Sequence, residues 1–428
     1  MASKILTTHV GSLPRSKELS EYLFAKDKGE EYNKKLFGNI LSSNVEQIVK
    51  RQLEVGLDFI SDGEMSKISY ATYIKDRIDG FSGESERRAP ADLDDFPDYK
   101  EKLAISGGTP TYSRPCCTNE LKIKDNFSLL NDIENFSNAL KKYDHAKAFM
   151  NAASPGVINV FMPNKFYASD DEYLNKLSSI MANEYEQITN ANIHVQLDCP
   201  DLALARHMNF KDLSEEDFLK KAEMQIECLN YALINVDIEK TRMHICWGNY
   251  EGPHTHDIAL KKILPIILKS KIKYFLIESS NPRHAHEWKV FEEIKLPKDK
   301  VLVPGVIDST SNFVEHPEVV AERLIKYSTV VPKDQLMAGT DCGFSTFAGF
   351  GKIDENICYE KLIALVEGTK LASKFIYNFQ FYFSQVNQYP HILKNEDDQL
   401  ISNFLLFYLH LFYKGQQLSS PQQDLCLV

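Results

Sequence analysis

Short apolar runs alternate with longer amphipathic stretches along most of the chain, and this alternation predicts the fold. The runs are mostly apolar along their whole length, as expected of strands that are buried on both faces. Eight runs are predicted to be strands, at residues 5–9, 57–61, 146–151, 193–198, 241–246, 274–278, 301–306 and 336–341. Helical periodicity is found at residues 17–56, 170–191, 213–235, 256–271, 285–294, 316–330 and 354–375. Alternation of this kind implies parallel strands with right-handed crossovers, so eight repeats predict an α/β fold of the closed (β/α)8, or TIM-barrel, type.

Two segments depart from this rhythm. Residues 66–144 lose the periodicity, and we expect a long insertion after the second strand, with room for a hairpin. The end of the chain, residues 376–428, is first rich in aromatic residues and then in Gln and Ser. The predicted organisation is therefore one barrel domain over residues 1–375, followed by an appended tail that is partly helical or disordered.

Composition narrows the function classes. The chain has 428 residues with a net charge of -11, which argues against nucleic acid as the main partner because phosphate binding needs a basic face. The N-terminus lacks the apolar core of a signal peptide, and no run reaches the roughly 18 apolar residues of a membrane helix. Eight scattered cysteines are typical of reduced thiols. We expect a cytoplasmic protein that acts on small molecules, with an oligomeric state that the sequence leaves open.

Metal-ligating residue types collect at the predicted carboxyl ends of strands, where barrel enzymes carry their active sites. His244 and Cys246 are two residues apart in one strand, so both side chains share a face. Glu278 ends the next apolar run, and Cys342 follows the last one. One imidazole, two thiolates and one carboxylate form a set suited to Zn²⁺. Taken singly, His244 or Cys342 would more often be an ordinary buried residue.

The first half of the chain adds polar residues at further strand ends. Gly11 and Ser12 form a predicted tight turn after the first strand, whose N–H groups can hold an anion, and Arg15 adds a fixed positive charge. Glu64 follows the second strand and Asp198 ends the fourth. Each of these residues is also a common turn or cap residue, and that alternative stays open.

Taken together, these positions resemble the C-terminal, catalytic domain of the cobalamin-independent methionine synthases. The resemblance covers about residues 4–372, and the length of the chain matches the members with a single barrel. The segment from His244 to His254 also resembles epoxyalkane–coenzyme M transferases. The residues that carry the resemblance are Thr7, Thr8, Gly11, Ser12, Pro14, Arg15, Gly63, Glu64, Asp198, Pro200, His244, Cys246, Glu278, Gly339, Asp341, Cys342 and Gly343.

The resemblance implies a zinc-dependent S-methyltransferase. In such an enzyme zinc would hold the thiol of homocysteine as a thiolate, which accepts a methyl group from methyltetrahydrofolate or a related donor to form methionine. The turn at Gly11 and Ser12 would bind the homocysteine carboxylate, and Glu64 and Asp198 would bind its ammonium group. Two alternatives remain, an alkyl-thiol transferase of the epoxyalkane–coenzyme M type and a non-catalytic zinc-binding barrel.

One position departs from the family pattern. The methionine synthases carry a His after the seventh strand that delivers a proton to the departing donor, whereas residues 305–310 contain no His. Asp308 is our candidate for this catalytic role, with His254 and His284 as alternatives. The Trp that stacks on the pterin is also not evident, and this leaves the donor half of the reaction less well supported than the thiol half.

Overall fold

The computed structural model describes residues 4–107, 112–143, 147–349 and 353–388. The strands are β1 Leu6–Thr7, β2 Phe59–Ser61, β3 Ile78–Ser82, β4 Cys116–Ile123, β5 Lys147–Ala153, β6 His194–Asp198, β7 Thr241–Ile245, β8 Tyr274–Ile277, β9 Val301–Pro304 and β10 Met337–Ala338. The helices are α1 Lys17–Lys28, α2 Lys34–Val55, α3 Ala91–Asp94, α4 Pro97–Gly107, α5 Phe127–Leu140, α6 Pro155–Phe161, α7 Asp170–Asn190, α8 Glu215–Ala232, α9 Leu260–Ile267, α10 Val290–Glu293, α11 Pro317–Ser328 and α12 Glu355–Gln388.

Eight parallel strands form the barrel. Six of them follow one another in the order β2-β5-β6-β7-β8-β9, and β1 pairs with β10. Parallel bridges from Leu302 to Leu336 and from Gly305 to Gly339 join β9 to β10. The ring closes between β1 and β2, where the N–H of Asp58 donates to the carbonyl oxygen of Thr7 at 3.2 Å. The prediction of a (β/α)8 barrel is confirmed.

The barrel interior is filled by side chains from the strands. Strands that are covered on both sides leave no face to the solvent, and this explains why they read as mostly apolar runs in the sequence. A central cluster comprises Val10, Phe59, Phe149, Tyr274, Leu276, Val303 and Met337. Above this cluster the strand register places Asp198, at the end of β6, beside His244 of β7. Polar side chains are thereby collected at the carboxyl end of the barrel.

The helical stretch predicted over residues 17–56 is two helices rather than one, so that prediction is wrong in its continuity. Helix α1 ends at Gly29, whose φ of 69° allows the left-handed C-cap conformation. Helix α2 begins after Asn33, whose side chain accepts a hydrogen bond from the N–H of Leu36 at 3.0 Å. Apolar spacing continues through the break, because both helices bury one face against the same barrel.

The insertion is more regular than its sequence suggests. Strands β3 and β4 pair in antiparallel fashion, with Ile78 opposite Ile123, so the expected hairpin is present. Helices α3, α4 and α5 also lie in this segment, although its sequence shows no periodicity that predicts them. The two hairpin strands are separated by more than thirty residues, and pairing over such a distance leaves no local sequence signal.

The chain divides into two compact units, Met1–Ala372 and Ser373–Val428. The first contains the barrel and its insertion. Within the second, the structure describes the end of α12, which continues past the predicted limit at residue 375. The rest of the predicted tail, residues 389–428, lies outside the described residues. Among the helices that are described, none combines the length and apolar character needed to cross a membrane.

Candidate metal centre and active site

Three of the four predicted metal ligands meet at the carboxyl end of the barrel. The ligand atoms of His244, Cys246 and Cys342 all lie within 4.8 Å of one another, and all three residues are buried. The Cys342 Sγ lies 3.4 Å from Nε2 of His244 and 3.9 Å from Sγ of Cys246. Strand β7 supplies His244, Cys246 directly follows the last residue of that strand, and the loop after β10 supplies Cys342.

The spacing of these atoms fits a tetrahedral zinc ion. Zinc bonds of about 2.0 Å to nitrogen and 2.3 Å to sulfur place neighbouring ligand atoms about 3.3–3.8 Å apart. The separations of 3.4 and 3.9 Å around Cys342 are close to this range. A buried imidazole and two buried thiols form a soft donor set, which suits zinc better than it suits magnesium or calcium. The residues present therefore fit the ion.

The two thiols differ in their readiness to ionise. Cys246 accepts the hydrogen bond of the Cys342 thiol and lies beside the His244 ring, and these contacts lower its pKa well below the usual range. Cys342 donates that hydrogen bond and is buried, so its pKa is raised. In the protein without metal the pair therefore favours one thiolate and one thiol. Bound zinc would remove the second proton, since a coordinating thiol is deprotonated.

Glu278 lies next to the three ligands but does not belong to the group whose ligand atoms lie within 4.8 Å. Its Oε2 accepts a hydrogen bond from the N–H of Trp247 at 2.9 Å, and its Oε1 accepts one from Nδ2 of Asn281 at 3.0 Å. Burial and the neighbouring Cys246 raise its pKa. Its coordination of a metal remains a prediction, and would require these hydrogen bonds to rearrange.

Glu64 and Asp198 face the same cavity as the metal ligands. Burial and the charge of Asp198 raise the pKa of Glu64 to about 8. Burial likewise raises the pKa of Asp198 to about 6, although Asn151 Nδ2 donates to both of its carboxylate oxygens, at 3.3 and 3.1 Å. The Glu64 Oε2 atom is buried and has no hydrogen-bond partner within the described part of the chain. These properties suit a site that binds the cationic group of a ligand.

Ser12 also lines this cavity, whereas Gly11 and Arg15 act from behind its wall. The guanidinium of Arg15 donates to the backbone oxygen of Glu64, at 2.7 and 3.2 Å, and to that of Ser345, at 2.7 Å. This tie holds Glu64 at a φ of 58°, a left-handed conformation that is strained for a residue with a side chain. Arg15 therefore positions the loop, and its direct contact with a substrate stays a prediction.

Gly11 has a φ of 144°, and a Cβ atom added there would lie 2.1 Å from Oδ1 of Asn151. The missing side chain lets Asn151 reach the backbone oxygen of Val10, to which it donates at 3.0 Å. Because Asn151 also donates to Asp198, Gly11 helps to orient that carboxylate. Its predicted role in carboxylate binding through the backbone remains a prediction.

The ligand group stands between two cavities. The larger, of about 490 Å³, is lined by Ser12, Glu64, Asp198, His244, Cys246 and Cys342 on its inner side and by apolar and aromatic side chains further out. The smaller, of about 360 Å³, also reaches Cys342 and is lined by Glu278, Asp308, Asp341, Glu315 and Arg323. A molecule in either cavity can therefore approach Cys342.

Asp308 lines the smaller cavity, but its carboxylate is occupied. It accepts hydrogen bonds from the N–H and hydroxyl groups of Thr310 and Ser311. Although burial opposes it, these hydrogen bonds lower the pKa of Asp308 below its usual value. The side chain is therefore a carboxylate at neutral pH, a poor starting point for the predicted proton donor.

A histidine network lies beside the metal ligands. Nδ1 of His254 and Nε2 of His284 are each 2.8 Å from the same oxygen of Asp257. Hydrogen bonds to Asp257 and Glu287 overcome burial and raise the pKa of His284 to about 10. The ring of His284 stacks on Trp247 at a centroid distance of 3.9 Å. The network thus fixes the turn that follows Cys246, and Trp247 is wholly buried rather than available for stacking on a ligand.

Comparison with known proteins identifies the family. The family model described as cobalamin-independent synthase, catalytic domain, matches residues 5–89 and 160–352, which is more than half of the chain. The chain belongs to this family.

Curated relatives of the chain are methionine synthases of archaea. Those of Saccharolobus solfataricus and Sulfolobus acidocaldarius are each 24% identical to this chain over 85% of its length, and the matches span 94% and 91% of the relatives. These matches confirm the prediction of an enzyme of the methyltransferase class.

Solved structures share the fold. A B12-independent methionine synthase from Shewanella sp. W3-18-1, in complex with selenomethionine, superposes with a TM-score of 0.66 at 17% identity and covers 87% of this chain and 98% of its own. A protein from Listeria monocytogenes, described as a putative B12-independent methionine synthase, gives a TM-score of 0.61 at 18% identity, with coverage of 86% and 98%. At these identities the structures support the barrel alone.

The sequence reasoning missed several residues of the site. Asn151, which orients Asp198, is the last residue of the strand predicted at 146–151, and this position was a usable signal. In the structure β5 continues to Ala153. The buried Lys67 donates to the backbone oxygen of Asn151, and its charge acts on both Glu64 and Asp198. Its position three residues after Glu64 was the only sequence signal. Arg114 lies in the insertion, where no pattern related it to the barrel.

Proposed function

We propose that the protein transfers a methyl group to the thiol of homocysteine, with zinc at His244, Cys246 and Cys342, to form methionine. The observation that carries the proposal is the convergence of these ligands with Glu64 and Asp198 around one cavity. The methionine synthases among its relatives, and the selenomethionine complex of the Shewanella structure, agree with this choice.

An α-amino acid thiol matches the charges of the inner cavity. Its ammonium group would lie against Glu64 and Asp198, where a buried carboxylate oxygen lacks a partner, and a charge-assisted hydrogen bond there is among the strong ones. Its carboxylate would lie against the turn at Gly11 and Ser12. A thiol with an anionic group and no ammonium would bring a second negative charge to the two carboxylates and leave the Glu64 Oε2 atom without a donor, which disfavours the coenzyme M alternative.

Zinc bound to the three ligands would supply the low pKa that turns the acceptor thiol into a nucleophilic thiolate at neutral pH. Glu278 is proposed as a fourth residue that would hold the ion. In the structure its carboxylate accepts hydrogen bonds from Trp247 and Asn281 beside the three ligands.

The donor is proposed to be methyltetrahydrofolate or a related N-methyl compound. Protonation of the leaving nitrogen is assigned to His254 rather than to Asp308. The pKa of His254 is raised by its hydrogen bond to Asp257, which outweighs burial, and its ring stacks on Tyr250, which lines the larger cavity as well as the smaller. The protein is further proposed to be cytoplasmic. The seven cysteines in the described residues form no disulfide bond, and reduced thiols are typical of that compartment.

The test is X-ray absorption at the zinc edge, with and without homocysteine, on protein purified with its metal. A rise from two to three sulfur ligands on addition of homocysteine is expected. A constant count of two would refute homocysteine as the acceptor, and absence of zinc would refute the metal assignment. Incubation with homocysteine and methyltetrahydrofolate, followed by detection of methionine, tests the donor separately.

A further inference from the structure

The outer wall of the larger cavity is built by a segment outside the family match. Residues 90–159 are not covered by that match, yet they contribute much of the lining, namely Pro90, Leu93, Lys100, Leu103, Ala104, Tyr112 and Arg114. The inner side of the same cavity holds the metal ligands. The insertion therefore shapes whatever lies against the metal centre from outside.

Arg114 is the exceptional residue of this wall. Its side chain is buried, with 5% of the residue exposed. Its guanidinium lies 4.6 Å from the centroid of the Phe161 ring, and Nε donates to the backbone oxygen of Phe161 at 3.5 Å. Within the described residues no carboxylate lies within 4.0 Å of it. Glu84 is nearby, but it accepts from the backbone N–H of Arg114, at 3.3 Å, and pairs with Arg87 at 3.5 Å.

A buried guanidinium without a carboxylate partner is costly, because its charge has lost water and gained no counter-charge. Burial accordingly lowers the pKa of Arg114. The other cations of the lining are engaged: Lys100 pairs with Asp94 at 2.7 Å, and Arg88 is 3.6 Å from Glu86. Arg114 is thus the buried cation of this lining that forms no ion pair within the described part of the chain.

The side chains around Arg114 indicate the shape of a molecule that would bind there. Tyr112 stacks on Phe347 with a centroid separation of 4.8 Å and an interplanar angle of 14°, and Leu93 and Leu103 line the same region. Such a surface accepts an apolar, flat body. The smaller cavity is lined by five carboxylates and one guanidinium, so an anion is better accommodated beside Arg114.

We propose that Arg114 binds an anionic group of the methyl donor, a carboxylate, sulfonate or phosphate, while the apolar body of the donor lies along the wall made by the insertion. The identification of this ligand as the methyl donor rests on the proposed function, whereas the anion site itself does not depend on it. Arginine suits the task because its guanidinium forms two parallel hydrogen bonds with an oxyanion.

The test is titration calorimetry of the zinc-loaded protein with 5-methyltetrahydrofolate and, separately, with homocysteine. Arg114→Gln is expected to raise the dissociation constant for 5-methyltetrahydrofolate at least tenfold while the affinity for homocysteine and the zinc content stay unchanged. Arg114→Lys should recover part of the loss because it keeps the charge. Arg283→Gln, which removes the same charge from an exposed position, should match the native protein.

A second probe separates this proposal from the methyltransferase assignment. Anilinonaphthalene sulfonate has an aromatic body and one sulfonate, and its fluorescence on binding should fall in Arg114→Gln but not in Arg283→Gln. If this holds while no methionine is formed, the anion site stands and the proposed function fails. The anion site is refuted if the native protein binds neither probe, or if Arg114→Gln binds both as the native protein does. A tenfold loss of homocysteine affinity in Arg114→Gln would instead show that Arg114 binds the carboxylate of the acceptor, and would refute its assignment to the donor.

Discussion

Replacement of Glu64 by Gln tests whether this buried carboxyl is held for a ligand at the expense of stability. Its pKa is about 8 in the folded protein, against an ordinary value of 4.5. Because the folded state binds the proton more tightly than the unfolded state, stability falls as pH rises through this window. The whole shift corresponds to about 5 kcal/mol at 1.36 kcal/mol per pKa unit, and about 3 kcal/mol of it develops between pH 5 and pH 8.

Gln has nearly the same shape and no charge, so Glu64→Gln should be more stable than the native protein by an amount that grows by about 3 kcal/mol from pH 5 to pH 8. The free energy of unfolding is measured by urea titration followed by circular dichroism at each pH. Glu227→Gln, an exposed change on α8, should show no such growth. A difference between native protein and Glu64→Gln that stays constant with pH, or shrinks, would refute the reasoning.

Three further changes probe the site. Cys342→Ser should remove most of the bound zinc, since one of two thiolates is lost, and metal analysis that finds the native content would exclude Cys342 as a ligand. Asp198→Asn should weaken the binding of homocysteine by tenfold or more, but that of a thiol without an amino group much less; equal losses in calorimetry would contradict the ammonium role. Gly343→Ala places a Cβ atom 2.0 Å from Oγ of Ser12. It should raise the KM for homocysteine and cost about 1–3 kcal/mol by overpacking, with zinc content unchanged, and an unaltered KM would show that the Ser12 turn does not contact the acceptor.

The barrel could be predicted from the sequence because its signals are local. Each strand is a short apolar run ended by a polar or small residue, and the side-chain period of a strand puts His244 and Cys246 on one face without knowledge of any partner. The rule that barrel sites collect at carboxyl strand ends then relates these residues to Cys342, almost one hundred positions away. Strand-end position alone thus led to the three residues whose ligand atoms converge.

What could not be predicted depends on where side chains turn after the strand ends. Glu278 ends its strand as expected, yet the N–H of Trp247 and the amide of Asn281 hold its carboxylate outside the group of three. Arg15 carries the charge expected of an anion site, but backbone oxygens from two other loops engage it. Such choices are made by partners far away in the sequence.

The insertion lies beyond the reach of pattern reasoning for a similar reason. Its hairpin joins strands from distant positions, and the relation of Arg114 to the metal ligands exists only once the segment folds over the barrel mouth. The sequence therefore supported the acceptor half of the site better than the outer half.

The division of the larger cavity between two parts of the chain has a consequence for how such an enzyme can change over time. The groups proposed to hold the metal and the acceptor belong to the barrel strands and their loops, whereas Leu93, Tyr112 and Arg114 belong to a segment outside the family match. Under the proposed function, mutation within that segment would alter the partner molecule without disturbing the groups that bind the metal and the thiol. Transplanting it between single-barrel relatives offers a modular route to new alkyl donors, and one barrel can thereby serve lineages with different one-carbon carriers.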